Sequence, residues 1–327
     1  METMSQGLGV EDEMPIATIP DVPLWSENYC FDGYDPDAGV GFWLHVGRSS
    51  QDPRLWREQV YVTLRDDTHL VRKTYGRVPV DGGAGAAALS FTCLEPFKTW
   101  RVQHFGVVRR VTAVELLAGP LADGHDELLE FDLTFNATSP IWNIGAKSAN
   151  QIWCTAHYEQ VGCCNGILRR DGRSLQVRAN SYRDHSRGPR ELSKMDQHAW
   201  IHGSFPDGRA FGMFLFRTID APERNLSEAF VYEGGRMHEA EVLSAPLFRS
   251  ESDAGRPYVL ELGGDFGRWR LSGQPELGVP QSFGPPNELF IGVAHGLASH
   301  LTYQESTRFS LDGATGFGHT ERTLRIV

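Results

Sequence analysis

Between residues 157 and 190 the chain gathers side chains able to move a proton. His157-Tyr-Glu-Gln160 sets an imidazole and a carboxylate two residues apart, and Ser181-Tyr-Arg-Asp-His-Ser-Arg-Gly188 does the same with the Tyr182 phenol and the Asp184 carboxylate. In a strand, residues two apart share a face. His157 with Glu159, and Tyr182 with Asp184, therefore form two short rows. An imidazole, two carboxylates and a phenol are the usual set for general acid–base chemistry. Burial in apolar surroundings can separate the two carboxylate pKa values, leaving one group as acid and the other as base. Arg183, Arg187 and Arg190 could hold an oxyanion or support the carboxylates. The same residue types also build plain hydrogen-bonded networks that tie a barrel corner together, and spacing alone does not choose between the two.

The elements that must position these residues are strands. Glu58-Gln-Val-Tyr-Val-Thr-Leu-Arg65, Leu128-Leu-Glu-Phe-Asp-Leu-Thr-Phe135 and Arg209-Ala-Phe-Gly-Met-Phe-Leu-Phe-Arg217 alternate at period two, the mark of strands with one buried face. Asp171-Gly172, Asp207-Gly208 and Glu233-Gly-Gly-Arg236 sit between such runs as tight hairpins, where central residues need positive φ. The spacing predicts a three-stranded meander around the candidate site: a strand through His157, a turn over Gly162–Gly166, a short strand Ile167–Arg170, then a hairpin into the strand of Tyr182. The outer two strands would lie about 10 Å apart, with room for a small reacting group between them. A short helix is expected near Ser186–Asp196. Many short strands, 35 glycines and 18 prolines predict an all-β protein of sandwich or barrel type.

At 327 residues the chain suits two domains. The expected organisation is an extended, proline-punctuated arm over residues 1–40, a first β-domain over 41–140 and a second over 141–327, dividing near Ser139-Pro140. The formal net charge of −11 argues against a nucleic-acid or anionic-membrane partner, and no apolar run reaches the roughly 20 residues of a membrane helix. The N-terminal stretch lacks the basic and apolar regions of a signal peptide. Five cysteines without a CxxC pair are expected to be reduced thiols, so a cytoplasmic location is expected by elimination. Nothing in the sequence fixes the oligomeric state, and homo-oligomerisation stays open.

Other motifs carry less. His198-x-Trp200-x-His202 puts three side chains on one strand face, a metal half-site in form; packing of Trp200 with histidines at its margin is the simpler reading, and no metal is expected. Adjacent Cys163-Cys164 rarely bridge. No glycine-rich loop joins a strand to a helix, so no nucleotide cofactor is expected, and Ser186 lacks a nucleophile-elbow pattern.

Tyr182-x-Asp184-His185 some 25 residues after His157, then Gly188 and Trp200 on the next strand, resembles the carotenoid 1,2-hydratase and AttH-like family. Gly41-Phe-Trp-Leu-His-Val-Gly47 and Gly316-Phe-Gly-His-Thr-Glu-Arg322 are supporting echoes. The strings His157-Tyr-Glu-Gln160 and Arg183-Asp-His-Ser186 look closest to a bacterial branch of that superfamily. The resemblance implies two tandem lipocalin-like β-barrels, and hydration, cyclisation or related chemistry on a small hydrophobic substrate. It also implies an active-site group that maps onto His157, Glu159, Tyr182 and Asp184. Two positions depart from the pattern: Glu159 stands where hydratases carry a Trp, and Arg187 where relatives carry a Trp. Together they point away from carotenoid hydration, and the Arg187 guanidinium would suit a phenol, carboxylate or other oxygenated group.

The function expected is therefore a cofactor-independent lyase, hydratase or isomerase acting on a terpenoid, steroid or aromatic molecule. Asp184 would be the general acid or base, His157 and Glu159 its proton-transfer partners, and Tyr182 the orienting phenol. Arg183, His185, Arg187, Arg190 and Trp200 would contact the substrate. The competing reading is a non-catalytic carrier of apolar ligands, and fold does not decide between them.

Overall fold

A computed structural model describes residues 3–77, 83–119, 124–148, 151–285 and 287–326. These form antiparallel sheets in two units, the first over residues 3–112 and 124–191, the second over 113–119 and 192–326. The all-β expectation with tandem barrels holds. The described helices are short, at Ala113–Ala118 and Gly145–Ser148.

The first unit begins with β1 (Trp25–Asp35), β2 (Val40–Arg48), β3 (Trp56–Leu64) and β4 (His69–Gly76). It continues with β5 (Gly83–Gly85), β6 (Leu89–Glu95), β7 (Thr99–Val111), β8 (His125–Ala137) and β9 (Trp142–Asn143). The long strands β10 (Ala156–Arg170) and β11 (Arg173–Pro189) complete it. Their spatial order is β4-β3-β2-β1-β11-β10-β8-β7, and pairing of β4 with β7 closes the ring. Tyr29, Phe31, Leu44, Val60, Trp100, Phe135 and Leu168 fill its core. These alternate with residues of the opposite face, as period-two geometry requires. In β1, β2 and most of β3 the opposite face is buried too, and there it carries polar residues.

The second unit comprises β12 (Met195–Ser204), β13 (Ala210–Thr218), β14 (Leu226–Glu233), β15 (Arg236–Ser244) and β16 (Tyr258–Gly264). To these it adds β17 (Gly267–Gly284), β18 (Glu288–Ile291), β19 (His300–Leu311) and β20 (Ala314–Arg325). Their order is β16-β15-β14-β13-β12-β20-β19-β17, with β16 paired back to β17. Ile201, Phe211, Met213, Leu262, Trp269 and Phe309 lie in its core. The hairpin glycines behave as the sequence demands: Asp171 and Gly172 have φ of 46° and 69°, Gly234 and Gly235 of 60° and 79°.

Four expectations change. Strand pairing carries β10 and β11 back to the first unit, so the division expected at Ser139-Pro140 falls instead between Glu191 and Leu192. The arm expected over 1–40 contains β1, a central strand between β2 and β11. Gly162–Gly166 is no turn: β10 runs through it unbroken. These glycines serve close approach, since a Cβ at Gly166 would meet the Asp132 carbonyl oxygen of β8 at 2.1 Å. Consequently the strands of His157 and Tyr182 are direct neighbours, not the outer members of a meander. The helix expected near Ser186–Asp196 is mostly strand, followed by a single 3-10 turn at Leu192–Lys194.

Candidate functional site

β10 and β11 pair in antiparallel register, with His157 opposite Ser186, Glu159 opposite Asp184 and Val161 opposite Tyr182. All four candidate proton-transfer residues therefore share one face, the one turned away from the apolar core. Glu159 is their hub. Its Oε1 lies 2.6 Å from His157 Nε2, and its Oε2 accepts a 2.6 Å hydrogen bond from the Tyr182 hydroxyl. Glu159, His157 and Tyr182 are each at most 2% exposed, whereas Asp184 is only half-buried. The His157 ring meets Trp153 edge-to-face at 5.3 Å. Burial first, then the Glu159 carboxylate, raises the Tyr182 pKa well above the ordinary phenol value, so Tyr182 stays a donor. Arg190 belongs to this side of the sheet: its Nη2 donates to Ser186 Oγ at 2.6 Å, and Ser186 is the register partner of His157.

Alternation sends Arg183, His185 and Arg187 to the other face. Arg183 donates to Glu13 Oε1 at 2.6 Å and to Gln160 Oε1 at 2.9 Å, with its guanidinium 5.5 Å from the Trp100 ring centre. His185 stacks on Tyr29 at 3.9 Å and lies 3.2 Å from Glu27 Oε1. Arg187 donates to the same oxygen at 2.8 Å and to the Met14 carbonyl. These three tie the N-terminal segment to the barrel and lie on the face opposite His157, Glu159, Tyr182 and Asp184. A one-residue offset along a strand decides this.

Glu27 shows the electrostatics of that second network. Burial works to raise its pKa, but hydrogen bonding and charge from His185 and Arg187 prevail and hold it near 2. Burial also pulls His185 below the usual imidazole value. Glu13 and Glu27 lie in the stretch expected to be a loose arm. The signal that could have found Glu27 is the alternation in Trp25-Ser-Glu-Asn-Tyr-Cys-Phe31.

Trp200 belongs to β12 of the second unit, 4% exposed, with its ring edge against His202 at 4.8 Å. His198 Nδ1 sits 3.3 Å from Glu321 Oε1, and His319 Nε2 lies 2.7 Å from Gln304 Oε1. Among the described residues no group of three or more His, Cys, Asp or Glu is arranged to hold a metal ion. No described helix is long and apolar enough to cross a membrane, and none of the five cysteines is in a disulfide.

Comparisons with known proteins follow the same lines. The model of a family described as "Domain of unknown function (DUF7064)" matches residues 9–325. No curated protein matches the chain. Among solved structures, a protein assigned as AttH from Nitrosomonas europaea is similar at 14% identity and a TM-score of 0.62, covering 93% of this chain and 94% of its own. CghA is similar at 14% identity and a TM-score of 0.54, over 93% of this chain and 89% of its own. Kievitone hydratase from Nectria haematococca is similar at 10% identity and a TM-score of 0.54, over 91% and 88%. At such identities the likeness is one of fold, and it agrees with the tandem β-barrel fold that the sequence resemblance implies.

Proposed function

Because the chain belongs to the DUF7064 family, whose description assigns no activity, we propose its function from the site itself: a lyase, hydratase or isomerase that moves a proton on a small hydrophobic, oxygenated molecule. The observation that carries this reading is Glu159, held between His157 and Tyr182 with Asp184 directly across the ladder. Glu159 is fully enclosed with hydrogen bonds to both oxygens, so it holds His157 and Tyr182 in place beside Asp184. Asp184, half-buried, is the carboxyl able to reach a substrate, and it acts as general acid or base. Tyr182 positions Glu159 and lends its phenol to the same network, and His157 completes the relay. Such a step needs a positioned acid and base of suitable pKa, and no cofactor enters it.

Several features support the chemical class. CghA has been solved with Sch210972, and another neighbour is named a kievitone hydratase, so this fold carries small-molecule sites. Terpenoid, steroid and aromatic substrates suit a polar row set in a largely apolar unit. Five thiols outside disulfides support a reducing compartment such as the cytoplasm.

The test is to incubate the protein with a panel of terpenoid alkenes and prenylated phenols in 18O-labelled water and in D2O, and to read products by mass spectrometry. At least one compound should gain or lose water, or take up deuterium, with the wild type and not with Asp184→Asn. Compounds that bind but never exchange would make the protein a carrier.

A further inference from the structure

The row containing Glu159 and Asp184 does not stop at β11. Asp184 is the register partner of Cys30 on β1, Cys30 of His45 on β2, and His45 of Gln59 on β3. One step along, Tyr182 is followed by Asp32, Trp43 and Tyr61. Directly paired residues point to one face, so these two rows continue the proton-transfer face across three further strands. At the inter-strand spacing, Gln59 lies about 14 Å from Asp184 along the sheet.

The far end of this face is unusual. Gln59 is 0% exposed and Tyr61 1%, with Trp43 at 6% and His45 at 9%. Yet among the described residues both amide atoms of Gln59, the Tyr61 hydroxyl, Trp43 Nε1 and His45 Nδ1 find no hydrogen-bond partner. The Gln59 amide stands near enough to Tyr61 to ease its ionisation slightly, but no bond of ordinary geometry joins them. Buried polar groups are normally satisfied, because each one left without a partner costs stability. Five such atoms on four neighbouring side chains call for an explanation, and a ligand that supplies the missing partners is the direct one.

The chemistry of those atoms defines the ligand. Trp43 donates only, Tyr61 donates or accepts, and Gln59 does both. His45 is held neutral, since burial first, and then the Arg57 and Arg190 charges, press its pKa well below the ordinary imidazole value. It stacks on Trp43 at 5.4 Å with an 8° interplanar angle, which gives a flat aromatic wall. Gly47 makes the His45 position available: a Cβ there would meet His45 Cε1 at 2.7 Å and Asn28 Oδ1 at 2.3 Å.

We propose that Trp43, His45, Gln59 and Tyr61 form the recognition end of the substrate site, taking a carbonyl or phenolic oxygen on an aromatic frame while Asp184 reaches the reacting end. This rests on the proposed acid–base function. It makes the substrate longer than a single ring, oxygenated at the end remote from the proton transfer.

The experiment uses 4-hydroxybenzophenone as the probe and diphenylmethane, which has the same rings without the oxygens, as control, with binding measured by equilibrium dialysis. The wild type should prefer the oxygenated probe by about ten-fold or more, the scale of one well-made hydrogen bond. The Gln59→Leu/Tyr61→Phe double variant should lose that preference while its melting temperature holds or rises, because it removes unsatisfied buried atoms. Asp184→Asn should keep the preference. Absence of binding or of preference in the wild type overturns the inference, as does a preference that survives the double variant. A falling melting temperature in the double variant makes the row a structural network. If Asp184→Asn alone abolishes the preference, the oxygen sits at the carboxylate end, and the recognition role fails while the acid–base reading stands. If the preference follows Gln59 and Tyr61 but no compound exchanges with solvent, the row is a binding site and the acid–base reading is what fails.

Discussion

Glu159 and Asp184 face one another at directly paired positions of the β10–β11 ladder. Like charges at such positions are destabilising, and carboxylates that share a site tend to keep a proton between them. Under the proposed mechanism the pair titrates as a unit, so kcat/KM should follow a bell-shaped pH profile whose limbs belong to the pair. Glu159→Gln should remove one limb while the other persists. A profile that keeps both limbs in Glu159→Gln would assign the titrating groups elsewhere.

Asp184 differs from its neighbours in being half-buried. Asp184→Asn keeps its size and removes its titrating proton, so turnover should fall by about 10²- to 10⁴-fold, the usual contribution of a general acid or base. Affinity and melting temperature should stay near the wild type. Turnover within a few-fold of wild type, measured alongside both, would leave Asp184 without a proton-transfer role.

Arg183 and Glu13 form a buried pair at 2.6 Å, 1% and 0% exposed at their side chains. Removing one partner strands the other charge, which typically costs about 3–5 kcal/mol. Arg183→Met should therefore lower the melting temperature by roughly 10 °C in a unit of this size, with ligand affinity retained at temperatures where the variant is folded. The Arg183→Met/Glu13→Gln double variant should recover part of the loss. Calorimetry checks both. A selective loss of affinity at unchanged melting temperature would return Arg183 to the substrate.

Much of this was legible in the residues. Period-two alternation and Asp-Gly or Gly-Gly turns gave the all-β class, because each depends only on local backbone preferences. The spacing of two between His157 and Glu159, and between Tyr182 and Asp184, correctly put each pair on one face. Register could not be read the same way. Gly162 and Gly166 resemble a turn in sequence, but here they admit the close backbone of β8, and that difference turns a meander into a direct pairing. The face of Glu159 and Asp184 also continues across β1, β2 and β3, whose polar residues look like the solvent side of ordinary strands. Only the closed ring of eight strands shows that Gln59 and Asp184 occupy one continuous row. Glu13 escaped for a similar reason: its partner Arg183 lies 170 positions away, beyond any local pattern.

His104 supplies a test of the acid behaviour of the first unit. It is 1% exposed, its Nδ1 lies 3.0 Å from the Leu129 carbonyl oxygen, and its ring stacks on Phe131 at 5.3 Å. Burial lowers its pKa from 6.5 to about 4, against the opposing pull of that carbonyl. With the folded value below the unfolded one, the unfolded chain takes up the proton first as pH falls. The stability linked to His104 is thus complete above about pH 6.5 and is lost as pH falls towards 4. By pH 5 the loss from this residue alone should be about 2 kcal/mol. At that pH the Glu27 carboxyl, held near 2 in the folded chain, has not begun to contribute, since its own window runs from about 4.5 downward. Phenylalanine preserves the ring stacking and removes the titration. His104→Phe should start lower at pH 7, because the Leu129 carbonyl loses its donor at a cost of about 1 kcal/mol, but its urea midpoint should fall less between pH 7 and pH 5 than that of the wild type. Equal falls in the two proteins would show that His104 protonates as readily folded as unfolded, contrary to the burial seen here.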